Sequence, residues 1–185
     1  ALSELIADGT IAKISQKYFG KDISKAVSFI NNSSMNSSYT NSKEETQALG
    51  AKISTLLTRG DEILLSGDLG AGKTTFVGGV AKGLGISEDV ISPTFNIMKG
   101  YLSGSLPLYH IDAYRLADIN TDIGLDEYIG YETGITVIEW PMFIKKLIPN
   151  DAISFTINNL GENERKITIK TENKKILEAL KWNIL

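Results

Sequence analysis

The chain has 185 residues, of which 42% are hydrophobic and 22% are charged, and these values predict one globular domain of ordinary size. Its net charge of −3 argues against a broad basic surface for nucleic acid, because such binding depends on many lysine and arginine contacts to phosphates. Cysteine is absent and histidine occurs once, which excludes a disulfide framework, a thiolate metal site and a histidine cluster.

The sequence carries no signal for membrane insertion or secretion. No apolar run approaches the roughly 20 residues that span a bilayer. The N-terminal ALSELIADGT also lacks a basic start followed by an apolar block. We therefore expect a cytoplasmic protein with no membrane partner.

Residues 1–41 are predicted to be an appendage that ends in a linker. The stretch 31–42, NNSSMNSSYTNS, is rich in Asn and Ser and poor in apolar residues, which is typical of a linker. Before it, residues 2–7 and 11–19 favour two short helices. The main domain is then expected to span residues 42–185.

Part of this appendage carries a resemblance of its own. Residues 5–23, LIADGTIAKISQKYFGKDI, resemble the final segment of bacterial amino-acid-binding proteins of ABC transporters. The ligand-binding lobes of that family have no counterpart here, so the resemblance implies no solute-binding function. A fusion or a misread upstream frame would explain it, and Met35 is then a candidate native start.

The main domain is predicted to begin with a helix followed by a buried strand. Ser42 and Glu45 have the spacing of a capping box, in which each side chain satisfies a backbone N–H group at a helix start. Apolar residues then recur at helical spacing, which predicts an amphipathic helix over residues 43–58. Glu62–Ser66, EILLS, is short, apolar and bounded by turn residues, and it predicts a strand.

A phosphate-binding motif follows this strand directly. Residues 67–74, GDLGAGKT, match G-x-x-x-x-G-K-[ST] at every fixed position. The glycines allow the backbone to form a nest of N–H groups, to which the next helix adds its N-terminal dipole. We assign Lys73 to the β and γ phosphates and Thr74 to Mg²⁺. The residues expected to contact the nucleotide here are Asp68, Leu69, Gly70, Ala71, Gly72, Lys73, Thr74 and Thr75.

Two acidic residues at predicted strand ends are candidates for the carboxylate that Mg²⁺ requires. Strands are predicted at residues 95–101 and 106–111 and at Ile135–Glu139. Glu139 ends the apolar strand ITVIE, and Asp112 follows the strand that ends at Ile111. Each acid alone is as well explained by a solvated strand end. Together they favour a site, because open α/β sheets bind ligands at the carboxyl ends of their strands.

The remaining elements complete the predicted fold. Residues 158–163 resemble a hairpin turn between strands at 152–157 and Arg165–Lys170, and residues 173–181 predict a closing helix. Because hairpin strands accompany the alternation of strand and helix, we expect an α/β, P-loop NTPase-like fold with a mixed central sheet flanked by helices.

The motifs leave more than one class of nucleotide-binding protein open. A small GTPase is disfavoured, since the chain has no D-x-x-G and its only N-K pair, at Asn173, lies in the closing helix. A small-molecule kinase commonly clamps phosphates with several arginines, whereas only Arg59, Arg115 and Arg165 occur here, so that alternative is weakened. A nucleotide-dependent binding module that needs no hydrolysis stays a rival to an ATPase.

Four motifs in order resemble the TsaE family, the small bacterial ATPases of tRNA threonylcarbamoyladenosine synthesis. They are GDLGAGKTTF at 67–76, SPTF at 92–95, YHIDAYRL at 109–116 and VIEWP at 137–141. The resemblance runs from about residue 42 to the C-terminus. It implies a P-loop ATPase that uses ATP and Mg²⁺ and works with TsaD and TsaB, the proteins that transfer the threonylcarbamoyl group to adenosine in tRNA. It also implies that this chain meets tRNA only indirectly, through that complex.

The resemblance implies roles for the catalytic and metal-binding residues. Thr74 and Glu139 are expected to hold Mg²⁺, and Asp112 is expected to position or activate the attacking water. Lys73 neutralises phosphate charge, which is most of what phosphoryl transfer requires from a protein. In the switch-like SPTF loop, Thr94 is expected to offer its hydroxyl to the γ phosphate, with a plain turn as the alternative.

Four further residues have weaker expectations. Thr46 lies where the family's helix approaches the nucleotide base, with a helix-surface residue as the alternative. Trp140 is expected to stack near the nucleotide or a partner, although a tryptophan after a strand is more often a core residue. Arg115 is a candidate to neutralise transition-state charge or to pair with a local acid. His110 is expected to be a packed strand residue, because Asp112 already fills the strand end.

Overall fold

A mixed sheet and three α-helices account for most of the chain that the structure describes. The structure is a computed structural model, and it describes residues 30–32, 35–93, 96–117, 129 and 132–181. The helices in this part are α1 (Lys43–Ser54), α2 (Lys73–Gly83) and α3 (Lys174–Lys181). The strands are β1 (Ile30–Asn32), β2 (Met35–Thr40), β3 (Glu62–Ser66), β4 (Met98–Tyr101), β5 (Leu108–Asp112), β6 (Ile135–Glu139), β7 (Ile153–Asn159) and β8 (Arg165–Lys170). Within the same part, no helix has both the length and the apolar content that crossing a bilayer requires.

The strands lie side by side in the order β1-β2-β8-β7-β3-β6-β5-β4. The four in the middle, β7, β3, β6 and β5, are parallel, and antiparallel strands extend the sheet at both sides. Parallel strands end at one edge of a sheet, so the loops after β3, β5 and β6 are neighbours. This arrangement confirms the predicted α/β fold with a mixed sheet.

The middle strands are apolar because both of their faces are covered. In β3, Ile63 and Leu65 are fully buried on the face that also packs Phe76 and Val80 of α2. Leu64 points to the opposite face, where Ile138 and neighbouring apolar side chains form a second cluster. Continuous apolar strands are typical of a sheet buried on both sides. The predicted strands Glu62–Ser66, Ile135–Glu139 and Arg165–Lys170 are confirmed residue for residue.

Helices α1 and α2 approach each other closely through glycine. A Cβ atom built on Gly79 would overlap the main chain of Gln47 in α1, including its carbonyl oxygen. A Cβ on Gly50 of α1 would in turn lie 2.9 Å from the backbone nitrogen of Val80. These contacts involve backbone atoms, which cannot rotate away as a side chain can. The close packing holds α2, and with it the loop before α2, against α1.

The predicted linker at residues 31–42 is wrong for residues 31–32 and 35–40. Residues 31–32 belong to β1, and residues 35–40 form β2, which pairs antiparallel with β8 over Asn36–Thr40 and Ile169–Arg165. Ser38 and Thr40 are fully buried, and the Thr40 hydroxyl lies 2.8 Å from that of Thr46 in α1. A polar strand is stable here because its backbone pairs with β8 and, over Met35–Ser37, with β1. The Ser37 hydroxyl also lies 3.2 Å from that of Thr168, whereas the buried Ser38 hydroxyl has no partner among the described residues. The helices predicted at 2–7 and 11–19 lie outside the described residues, and the separation of an appendage stays a prediction there.

Other predicted boundaries shift by a few residues. The first helix ends at Ser54 rather than at residue 58, because the Ser54 and Thr55 hydroxyls donate to Ala51 O and Lys52 O and the next N–H groups bond three residues back. The strand predicted over 95–101 begins at Met98, and residue 95 lies outside the described part. The strand predicted over 106–111 occupies Leu108–Asp112, which includes the candidate acid itself. Half of the predicted capping box forms: the Ser42 hydroxyl accepts from Glu45 N, whereas the Glu45 carboxylate accepts from Asn41 N instead of Ser42 N.

We predict that Gly79→Ala lowers the free energy of unfolding by about 1 to 3 kcal/mol, since the added methyl forces α1 and α2 apart. Urea unfolding of the two proteins measures the difference. Gly78→Ala is the matched control, because its Cβ would meet only the Gln47 side chain, at 3.4 Å. The control should be neutral or gain up to about 1 kcal/mol from helix propensity. Equal effects at the two positions would contradict the close helix contact.

Two truncated chains test the status of β2. A chain that begins at Met35 keeps β2 and its pairing with β8 and loses only the three-residue strand β1, so it should unfold at nearly the same urea concentration as the full chain. A chain that begins at Ser42 loses β2 and leaves the edge of β8 unpaired, so we expect it to lose about 2 kcal/mol or more and to aggregate. Loss of folding already in the chain from Met35 would show that residues 1–34 belong to the domain.

Candidate functional site

The loop between β3 and α2 has the backbone shape of an anion cradle. Gly67, Gly70 and Gly72 have φ angles of 145°, 76° and 107°, in the left-handed region that glycine adopts without strain. A Cβ on Gly67 would also overlap the carbonyl oxygen of Ile157 in β7. The loop then runs directly into the first turn of α2, whose free N–H groups favour a negative charge. The order of strand, glycine loop and helix is therefore as predicted.

Lys73 begins α2 and points back into this loop. Its side chain is buried, and Nζ donates to the carbonyl oxygens of Gly67 at 2.8 Å and Asp68 at 2.9 Å. Burial lowers the pKa of Lys73, and the nearby carboxylates of Glu139, Asp112 and Asp68 oppose that shift. The charged groups of the site are therefore clustered around the buried Lys73 ammonium.

Thr74 and Glu139 provide two hard oxygen ligands at the mouth of the loop. The Thr74 hydroxyl donates to Glu139 Oε1 at 3.2 Å, and Glu139 is only 3% exposed at the end of β6. The same Oε1 atom lies 2.9 Å from Nε2 of His110. In the described part of the chain no three His, Asp or Glu side chains cluster as metal ligands. A hydroxyl and one carboxylate fit Mg²⁺, which keeps several waters and completes its shell with phosphate oxygens.

Asp112 stands beside Glu139, because the parallel register of β5 and β6 pairs these two residues. Its Oδ1 accepts from the backbone N–H of Tyr114, which starts a short 3-10 turn, and its Oδ2 accepts from the Ser92 hydroxyl, both at 3.1 Å. Ser92 belongs to the SPTF motif, but no role was predicted for it from the sequence. The structure brings it to Asp112 across 20 residues of chain.

Trp140 adopts a backbone conformation that is rare for its type. Its φ of 58° and ψ of 50° lie in the left-handed region, where a non-glycine residue costs about 1 to 3 kcal/mol. Its N–H donates to Leu65 O, which anchors the turn to β3. The indole ring lies 4.2 Å from Lys73 Nζ and 5.1 Å from the Tyr114 ring. The strained turn thus places an aromatic face against the buried lysine.

A cavity of about 170 Å³ lies on the other side of the loop, next to α1. Thr46 lines it, but its hydroxyl is already bonded to Thr40 and to Ser42 O. Gly72 and Thr75 connect the cavity to the phosphate loop. The full lining is Ser42, Lys43, Thr46, Gly72, Thr75, Glu162, Asn163 and Arg165. The first helix was predicted to lie near the nucleotide base, but the residues that the β7–β8 turn adds to the cavity lining were not predicted.

Arg165 is a second residue that the sequence did not single out. From the start of β8, its Nε donates to Ala71 O at 2.8 Å, and Nη1 donates to Asn159 Oδ1 and Gly161 O at 3.1 and 3.0 Å. The guanidinium therefore ties the β7–β8 turn to the phosphate loop. No local sequence pattern predicts this contact, because Arg165 and Ala71 are 94 residues apart along the chain.

The remaining predicted site residues differ in how their side chains are placed. Leu69 is 92% exposed, so only its backbone is available to the loop, whereas the side chain of Ala71 is buried in the core. Arg115 lies exposed in the 3-10 turn that follows Asp112. Thr94 lies outside the described residues, and its expected contact stays a prediction.

The parallel sheet, the glycine loop and the residues around Lys73 define a P-loop NTPase-like α/β protein. Residues 40–167 match the family described as threonylcarbamoyl adenosine biosynthesis protein TsaE. This chain therefore belongs to the TsaE family.

Individual relatives agree with this assignment. The Bacillus subtilis protein named tRNA threonylcarbamoyladenosine biosynthesis protein TsaE is 46% identical over 125 residues, which are 68% of this chain and 78% of that protein. The Treponema pallidum protein of the same name is 41% identical over 69% of this chain and 95% of its own length. The crystal structure of Bacillus subtilis YdiB superposes with a TM-score of 0.66 at 35% identity, covering 85% of this chain and 95% of YdiB. The resemblance of residues 5–23 to a transporter binding protein is not supported by these comparisons.

We predict that Arg165→Ala lowers the free energy of unfolding by about 2 kcal/mol, because charged hydrogen bonds from loop to hairpin are lost. Amide hydrogen exchange should also quicken at residues 68–72. Arg165→Lys should recover less than half of the loss, since one ammonium cannot reach Ala71 and Asn159 together. The exposed Arg59→Ala serves as control and should change stability by under about 0.5 kcal/mol. Unchanged exchange in Arg165→Ala would contradict the link between hairpin and loop.

Proposed function

We propose that this chain is a Mg²⁺-dependent ATPase that supports the threonylcarbamoyladenosine modification of tRNA. The observation that carries the proposal is the meeting of Lys73, Thr74, Glu139 and Asp112 at one edge of the sheet, around a glycine loop with left-handed angles. The names of the TsaE relatives support the assignment to this modification.

The glycine loop and Lys73 bind the phosphates in this proposal. Backbone N–H groups of the loop and of the first turn of α2 bind the anion, apart from that of Ala71, which donates to Asp68 O. Lys73 exchanges its bonds to Gly67 O and Asp68 O for bonds to phosphate oxygens. Thr74 and Glu139 hold Mg²⁺ through the hydroxyl and the carboxylate. The bound metal supplies positive charge that offsets the charge developing on the phosphoryl group.

Asp112 positions the attacking water. It is half-buried, and the bonds from Ser92 and Tyr114 N fix the plane of its carboxylate. An acceptor held in this way can orient a water and receive its proton as the bond to phosphorus forms. Thr94, two residues after Ser92, is proposed to donate to the γ phosphate.

The nucleoside is proposed to occupy the cavity beside α1. Thr75 and Gly72 belong both to this cavity and to the phosphate-binding segment, and Thr46 and Asn163 also line the cavity. Trp140 contacts Lys73 and does not line this cavity, so its ring is proposed to contact the phosphate end of the nucleotide or a partner rather than the base.

The partners are proposed to be TsaD and TsaB, with tRNA met only through their complex in the cytoplasm. The net charge of −3 suits a protein that does not itself grip RNA. Apolar side chains around the site are exposed and available to a protein partner, among them Tyr114 at 57% and Met142 at 41%.

We predict that Lys73→Ala and Glu139→Ala each lower the ATPase rate measured with TsaD and TsaB by at least about 100-fold, because each removes charge stabilisation of the transition state. The exposed Lys145→Ala is the control and should keep the rate within about twofold. Rates of the two site variants equal to that of the control would rule out an ATPase at this site.

Asp112→Ala separates hydrolysis from binding. We expect it to bind a fluorescent ATP analogue within about threefold of the unchanged protein and to lose at least about 100-fold in hydrolysis. If this protein still supports tRNA modification in a reconstituted reaction, the chain is a nucleotide-dependent binding module instead. Transfer of labelled γ phosphate to a metabolite without partners would favour a small-molecule kinase.

A further inference from the structure

The single histidine of the chain is buried beside apolar residues of the sheet. His110 lies in the middle of β5, fully enclosed, and shares its face of the sheet with Leu108. Its register partner in β6 is Val137. Burying an imidazole in such surroundings costs free energy unless it is hydrogen-bonded. A branched aliphatic residue would fill this position at a lower free-energy cost. The presence of a histidine therefore indicates that its polar ring nitrogens make a specific interaction.

Its hydrogen bond to Glu139 supplies that interaction. Nε2 lies 2.9 Å from Glu139 Oε1, between two side chains that are both almost completely enclosed. A carboxylate that binds a metal accepts hydrogen bonds and donates none, so Nε2 carries the hydrogen. Nδ1 then holds a lone pair, and it has no partner among the described residues. The imidazole therefore donates its N–H hydrogen bond to the Glu139 carboxylate.

The geometry fixes a flexible side chain from two sides. Glu139 Oε1 accepts from His110 on β5 and from the Thr74 hydroxyl on α2, at 2.9 and 3.2 Å. A free glutamate side chain samples several rotamers, and ordering it on metal binding carries an entropic cost. Two donors on rigid elements remove part of this cost before the metal arrives.

We propose that His110 is a positioning residue, which holds the Glu139 carboxylate in the orientation that binds the divalent metal. This inference rests on the proposed function, since it assigns Glu139 to the metal. His110 contacts neither nucleotide nor reacting atoms in this assignment, and its effect passes through Glu139. Partners of metal-ligating side chains typically contribute 10- to 100-fold in metal affinity.

The test compares substitutions that differ in where they place an N–H group. The amide nitrogen of Gln reaches about as far as Nε2, whereas that of Asn corresponds to Nδ1 and falls short of Glu139. His110→Leu removes the donor and keeps the volume. Mn²⁺ binding to each protein with bound ATP is measured by electron paramagnetic resonance, and metal-free ATP binding is measured with a fluorescent analogue.

We expect His110→Leu and His110→Asn to weaken Mn²⁺ binding by at least about tenfold, with metal-free ATP binding changed by less than twofold. His110→Gln should return Mn²⁺ affinity to within about threefold. If His110→Leu fails to fold, the Gln and Asn pair decides, because the two amides are alike in polarity. Equal Mn²⁺ affinities in Gln and Asn variants would overturn the proposal. Failure of the unchanged protein to bind Mn²⁺ with ATP would instead overturn the proposed function.

A nitrogen NMR spectrum tests the contact without any ligand. Because the chain has one histidine, a tag-free sample gives one set of imidazole signals. We expect Nε2 to carry a hydrogen, with its signal displaced in Glu139→Leu and unmoved in Lys145→Ala. A hydrogen on Nδ1 and none on Nε2 would overturn the proposal whatever the protein binds.

Discussion

The parallel register of β3, β6 and β5 is the constraint on which the rest of the site depends. It ends three strands at one edge, so that the glycine loop, Glu139 and Asp112 meet although they are far apart along the chain. The register itself is fixed by apolar side chains on both faces, since a slip of one residue would turn each of them to the wrong side. The packing of the core and the geometry of the site therefore have the same origin.

The same edge concentrates polar groups where water is scarce. Lys73, His110 and Glu139 are all buried, and each is held by hydrogen bonds from the loop, the strands or α2. In such surroundings a hydrogen bond or charge has more effect than at the surface, and an unpaired one costs more. The close contact of α1 with α2 supports this arrangement, because it fixes the helix that carries Lys73 and Thr74.

Sequence patterns predicted the parts of the molecule in which one local rule dominates. Three features were identified in this way. The glycine loop was found from its need for backbone freedom, strands β3 and β6 from their apolar residues, and the two acids from their positions directly at strand ends. Strand β2 was missed, since its stability comes from pairing with β8 and not from apolar content. Ser92 and Arg165 were missed as site residues because their partners, Asp112 and Ala71, are distant in sequence and any exposed turn admits serine or arginine.

The left-handed backbone of Trp140 has a consequence for the adaptability of this protein. Pro141 follows it and further narrows the conformations open to the residue before it. Glycine or asparagine would relieve that strain, so selection for heat resistance alone would favour removing the indole ring. A tryptophan at this position keeps the aromatic face beside Lys73 at the cost of thermal stability. Engineering for thermostability should gain its increments elsewhere and leave this position unchanged.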